Sequence, residues 1–202
     1  TGLLGSLFGL DYRLEYRYYK GFIKPGFYDS NYDRRRGDYS AELLTYLSDT
    51  DAPEYEEETT GIYGQAGMSV LNDKLSFTAG YMWPFYRDAE TGDLTYGDDD
   101  YLKLELFLAR ELTPLDIQGS FAYERTSFIP TLINSGEFAE ASLFDQNTVL
   151  SGELVYPVAP MLNIAVVAKT VIARNDDGTI QYDDAGDPVI GPSFSVETRL
   201  GF

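Results

Sequence analysis

Glu105 and Asp116 are the carboxylates whose spacing first suggests chemistry. Each falls in a run of alternating polar and apolar residues, and a hairpin between the runs sets them on facing strands. Two facing carboxylates can divide the acid and base roles of a reaction between them. They are equally members of a wider charge network. The chain has no His and no Cys to add a general base, a thiol nucleophile or a soft metal ligand. An enzyme, a transition-metal centre and a cofactor are therefore not expected.

The wider network is the polar parity of the alternating runs: Asp11, Arg13, Glu15, Arg17, Glu42, Lys103, Glu105, Asp116, Glu124, Glu153, Lys169, Glu197 and Arg199. Enclosing a water-filled space, such residues line a pore and set its ion selectivity. Enclosing a narrow space, they pair into a salt-bridged plug.

Four stretches, 49–60, 84–100, 127–145 and 175–189, hold six, six, three and five carboxylates in turn, 20 of the chain's 33. Solvated acidic loops are the plain reading. Divalent cation binding is the sharper one. No stretch has EF-hand spacing, and Asp183-Asp184-Ala185-Gly186-Asp187 reads as a turn. With a net charge of −18 the chain is no candidate for nucleic-acid binding. Arg34-Arg35-Arg36 is the one basic run and reads as a solvated turn.

The elements that position these residues are strands. From Leu10 to Tyr18 the even positions are Leu10, Tyr12, Leu14, Tyr16 and Tyr18, and the odd ones Asp11, Arg13, Glu15 and Arg17. This period of two marks a strand with one apolar and one polar face. It recurs, and nine strands are expected, at about 8–22, 37–48, 61–71, 74–84, 101–112, 115–126, 146–156, 161–174 and 190–202. A short helical turn fits between Thr126 and Leu143. Tight turns are expected at Leu71–Lys74, Thr113-Pro114 and Pro157–Pro160, with the long acidic stretches between them. Stepping back by the same spacing, about 41–45 residues, places one more near Ser30. The whole of 1–202 reads as a single domain. The longest uncharged run, Leu154–Ala168, contains Pro157 and Pro160, which excludes a membrane-spanning helix.

Alternation fits a soluble sandwich or barrel with the apolar face inward, or a transmembrane barrel with that face on lipid. Strands of about 11 residues, tilted near 45°, cover the roughly 25 Å of a lipid-facing band. Short and long connections alternate as on the two sides of such a barrel. Tyr81, Trp83, Tyr101, Tyr123, Tyr156 and Phe202 stand near strand ends, as in interfacial girdles. The expected fold is therefore all-β, an antiparallel up-and-down transmembrane β-barrel.

The last nine residues carry a motif. Phe194-Ser195-Val196-Glu197-Thr198-Arg199-Leu200-Gly201-Phe202 alternates and ends on an aromatic residue. It resembles the closing strand of bacterial outer-membrane β-barrel proteins. The resemblance implies that Phe194, Val196, Leu200 and Phe202 form the signal read by the barrel-assembly machinery. It also implies an outer-membrane location, with the lipid bilayer, that machinery and a larger assembly as partners. The tight turns would be periplasmic, Arg34–Arg36 among them, and the acidic loops extracellular. Nine strands is an odd number where such barrels have even ones, which suggests the C-terminal portion of a larger barrel, or eight or ten strands. Enzymes of that family use a catalytic His, which this chain lacks. The expected function is a porin-like channel passing small solutes through a charged lumen with cation preference. The alternative is a structural or anchoring protein with a closed lumen, and a soluble barrel around an apolar ligand comes third.

Overall fold

The computed structural model describes residues 1–20, 40–41, 43–45, 47–48, 58–87, 91–97, 99–135, 143–176 and 179–200, with 133–135 as backbone alone. Among them ten strands form one antiparallel sheet. They are β1 (Gly2–Leu7), β2 (Leu10–Lys20), β3 (Glu58–Val70), β4 (Leu75–Arg87), β5 (Leu94–Tyr96), β6 (Tyr101–Leu108), β7 (Gln118–Thr126), β8 (Thr148–Ala159), β9 (Leu162–Ile172) and β10 (Ile190–Leu200). The order is β1-β2-β3-β4-β6-β7-β8-β9-β10, a meander of chain neighbours, and β5 pairs only with the end of β4. The sheet is not closed: β1 and β10 are its two edges. Nine strands lie on this path, so β1 and β10 run in the same direction.

Connections alternate in length, as the spacing of turn residues predicts. Phe8-Gly9, Leu71–Lys74, residues 109–117 and Pro160-Met161 lie along one edge of the sheet. Residues 21–57, 88–100, 127–147 and 173–189 join strands at the other. In the two-residue turn, Phe8 and Gly9 take φ of 53° and 80°. Positive φ at both positions is what matches the twist of a tight hairpin, and glycine adopts it without strain. The Thr113-Pro114 turn is longer than expected. A 3-10 turn at Arg110–Leu112 precedes it, and the Thr113 hydroxyl oxygen accepts the Ile117 N–H at 2.7 Å.

The N-terminal part departs from the expected plan. Among the described residues of the expected strand 37–48, none is in a strand: 40–41, 43–45 and 47–48 are helical. Leu43, Leu44 and Leu47 recur at helical spacing, Ala41 and the leucines are strong helix formers, and neither parity of this segment is cleanly apolar. The Thr45 hydroxyl donates to the Ala41 carbonyl at 3.1 Å, one turn back. The strand that replaces it in the count is β1, which pairs with β2 from Gly2↔Glu15 to Leu7↔Leu10. The tight turn expected near Ser30 would lie outside the described residues. So does Arg34–Arg36, and the strands that bracket this run, β2 and β3, meet at the long-connection edge, not at the tight-turn edge. The helical turn between Thr126 and Leu143 is α1, Phe128–Ser135.

The two faces are inverted relative to a soluble protein. Leu14, Tyr16 and Tyr18 of β2, Trp83 of β4, Phe121 of β7, Leu154 and Tyr156 of β8, and Phe194, Val196 and Leu200 of β10 are all exposed. Met82, Pro84, Val149, Val155 and Ala165 are the buried apolar side chains among those described, and the register places all five on the polar face. A soluble sheet protein buries one apolar face against another layer. Among the described residues no second sheet covers the apolar face, and α1 with residues 143–147 packs only over its long-connection end.

Candidate functional site

The site is the polar face of the sheet. Cross-strand partners share a face, so the register can be followed from strand to strand. One row runs Arg13, Gln65, Gly80, Lys103, Glu124, Val149. The next runs Asp11, Gly67, Thr78, Glu105, Ala122, Ser151, Lys169. Glu153 follows opposite Ser120, and Glu197 and Arg199 follow opposite Ala165 and Asn163. Asp11, Arg13, Glu15, Arg17, Lys103, Glu105, Glu124, Glu153, Lys169, Glu197 and Arg199 therefore all occupy one face, as their parity requires. Six are acids and five are bases.

Of the other two expected members, one is displaced and one lies outside the described residues. Asp116 lies in the β6–β7 connection with φ of 56°, and the residue opposite Glu105 is Ala122, so the facing carboxylate pair does not form. The turn chemistry of Thr113 moves the start of β7 to Gln118, beyond Asp116. Glu42 lies outside the described residues, and the strand expected to carry it is not formed by the residues around it.

Ion pairs run along this face. Glu15 holds Arg13 and Arg17 on either side of it in β2, the latter at 2.8 Å. The Arg17 guanidinium also stacks 4.2 Å over the Tyr63 ring. Lys103 pairs with Glu105 at 3.0 Å. Arg199 pairs with Glu197 at 2.8 Å and reaches across β9 to Glu153 at 2.7 Å. Four of these five pairs join residues two apart on one strand, so they lie flat along the wall. Tyr101 donates to Glu124 and so belongs to the polar face, not to the aromatic girdle where its place near a strand end suggested it. Its parity, shared with Lys103, carries that signal.

The polar face is hollow. A groove of about 460 Å³ opens among Ser76, Thr78, Lys103, Glu105, Glu124 and Glu153. At the tight-turn edge Arg110 reaches over to Asn163 of β9, 3.0 Å away.

The apolar face carries the other expected features. Tyr81, Trp83 and Phe85 alternate on β4 and gather with Tyr96 at the long-connection end, the Trp83 and Phe85 rings stacked at 5.9 Å. Tyr123 and Tyr156 share this face. Phe194, Val196 and Leu200 project from β10, and Phe202 lies outside the described residues.

A buried polar knot at the long-connection edge is the main feature that sequence reasoning missed. Arg125 has no exposed side-chain surface and is held by both Asp145 oxygens, at 3.0 and 2.7 Å, by Thr148 at 2.6 Å and by Thr131 of α1 at 3.0 Å. Asp100, also fully buried, accepts the Tyr81 hydroxyl at 2.5 Å and the Ile129 N–H at 2.9 Å. The Tyr81 and Tyr96 hydroxyls lie 2.9 Å apart. Burial, reinforced by the charge of Asp100, pushes the Tyr96 phenol up to about 12. Asp100 and Asp145 are thus structural acids and not solvated loop charge. The parity of Arg125, shared with Phe121 and Tyr123, is the signal that it needed partners.

Of the acidic connections, Asp183 forms the turn expected of it, its carboxylate accepting the Ala185 and Asp187 N–H groups at 2.8 and 2.9 Å. No group of three acids among the described residues is arranged to hold a metal ion. No protein-family model, curated protein or solved structure matches the chain.

Proposed function

We propose that the sheet is wall from a bacterial outer-membrane β-barrel, its apolar face on lipid and its polar face lining a lumen that passes small solutes with cation preference. The observation that carries this is the inversion of faces: the large apolar side chains are exposed and the charged ones gather in the hollow. A broad exposed apolar face makes sense only if that face meets something less polar than water. Strands of 11 to 13 residues, as in β2 to β4, tilt to cover roughly 25–30 Å. The resemblance of the C-terminal strand points the same way.

Because the wall itself is nearly balanced in sign, cation preference would come from the acidic connections at one mouth, which act over a Debye length. Since β1 and β10 run in the same direction, antiparallel closure takes an odd number of further strands, and the edges left for them are those of β1 and β10.

The test is conductance across a planar bilayer under a salt gradient. Stable steps with a reversal potential on the cation side are expected. Inserted protein that carries no current overturns the channel and leaves a closed, anchoring barrel.

A further inference from the structure

The tight-turn edge is apolar where turns are ordinarily polar. Phe8 is 100% exposed, Leu71 59%, Leu115 66% and Met161 57%, one in each of the four connections on that edge. Turns favour Gly, Asn, Asp and Ser, which suit the backbone and meet water. At two of these tips the backbone itself opposes the residue it carries. Phe8 and Leu71 take φ of 53° and 57°, left-handed values that are costly for a bulky side chain. A glycine or asparagine would hold either turn at less cost, so what Phe8 and Leu71 supply is the exposed side chain.

The tips continue the apolar face. The last rungs of three hairpins on this edge, Leu7↔Leu10, Val70↔Leu75 and Ala159↔Leu162, all lie on that face. From this we infer that the four tips dock into the phospholipid interface, so that the tight-turn edge sits in the bilayer boundary and does not stand out in water. The docking rests on the membrane reading and deepens it: lipid contact takes in the turns as well as the strands. Successive tips stand two strands apart, about 10 Å, and the four spread over roughly 30 Å. A protein partner draws its affinity from a compact cluster of buried anchors, which such a line does not offer. In a lipid interface each apolar side chain contributes by its own buried area. Charge selects no other partner. Asp73 offsets Lys74 and Arg110 offsets Glu111, which leaves Asp116 alone in these connections.

The experiment moves the single tryptophan of the 202-residue chain to the tips. Phe8→Trp, Leu115→Trp and Met161→Trp are each made with Trp83→Phe, and folding is checked by circular dichroism and heat-dependent gel mobility. Leu115 and Met161 are not among the residues with positive φ, so they carry the test should Phe8→Trp not fold. Each variant is placed in phosphatidylcholine vesicles brominated at defined acyl depths, with iodide on both sides. Shallow bromines should quench each tip about as strongly as they quench Trp83 in the parent. Iodide should quench each several-fold less than a free tryptophan amide. Full iodide quenching of the tips with none by brominated lipid overturns the docking. If the parent's Trp83 is still quenched by lipid in that case, the membrane reading of the face stands without it, and the tips are left for a protein partner. Lipid quenching of the tips but not of Trp83 keeps the docking and removes the wall reading.

Discussion

Arg125 and Asp145 face each other at the long-connection end of β7, the fully buried guanidinium gripped by both carboxylate oxygens at 3.0 and 2.7 Å. The pair ties the β7–β8 connection to its own strands, with Thr131 of α1 and Thr148 of β8 completing the set. A buried ion pair adds little over a well-packed apolar pair, but removing one partner strands the other.

Asp145→Ala should therefore destabilise the fold by about 3–5 kcal/mol. Arg125→Met added to it should recover a large part of that loss, because the stranded charge is gone. Urea unfolding of the micelle-bound protein, followed by circular dichroism, measures both. Equal stability of Asp145→Ala and the parent would mean the pair is not buried as described.

Leu104 and Glu105 are sequence neighbours on opposite faces of β6, the first opposite Tyr123 and the second opposite Ala122. On the membrane reading Leu104→Arg places a charge in lipid at about 2–4 kcal/mol near the midplane and should block insertion into vesicles. Glu105→Gln should insert like the parent. Flotation of vesicles with each variant reads the difference, and normal insertion of Leu104→Arg would reverse the assignment of faces.

The charges of the wall should act in opposite senses on selectivity. Glu105→Gln should lower cation preference. Arg199→Ala should raise it, because Glu153 and Glu197 lose their shared partner. Asp116→Asn, in the β6–β7 connection, should do less than Glu105→Gln. Reversal potentials under a fixed salt gradient order the three, and a fall in cation preference for Arg199→Ala would contradict the wall as drawn.

Tyr96 gives a pH dependence. Its folded value of about 12 exceeds the ordinary 10.0, so the neutral phenol is the form the fold favours. Its contribution to stability is whole below pH 10 and is lost as pH rises from 10 through about 12. The phenolate absorbance difference between the parent and Tyr96→Phe should appear near pH 12. A difference centred near 10 would mean that Tyr96 is not packed beside Asp100.

Eight of the strands were legible, most plainly β2, β6, β7 and β10 through their period of two, and that same parity placed eleven of the charged residues on one face. What was hidden had physical causes. Gly2–Leu7 does not alternate, since Leu3 and Leu4 fall on opposite faces, so β1 carried no signal. Residues 37–48 hold leucines at spacings that serve a strand or a helix, and strong helix formers decide between them. Asp116 has the right parity, but parity cannot tell where a strand begins, and Thr113 delays β7 until Gln118. Asp100 and Asp145 look like any loop acid in sequence. Only the fold brings them to Tyr81 and Arg125.

On the membrane reading the exposed apolar face meets lipid, and Trp83 is placed to report on it. It is the only Trp in the chain, projects from the apolar face of β4 and is 44% exposed. Its fluorescence should be measured in vesicles of lipids brominated at defined depths along the acyl chain. Strong quenching by the shallow bromines, with blue-shifted emission and little quenching by aqueous iodide, is the predicted result for a ring in the interfacial girdle. Full quenching by iodide and none by brominated lipid would put that face in water and contradict the account.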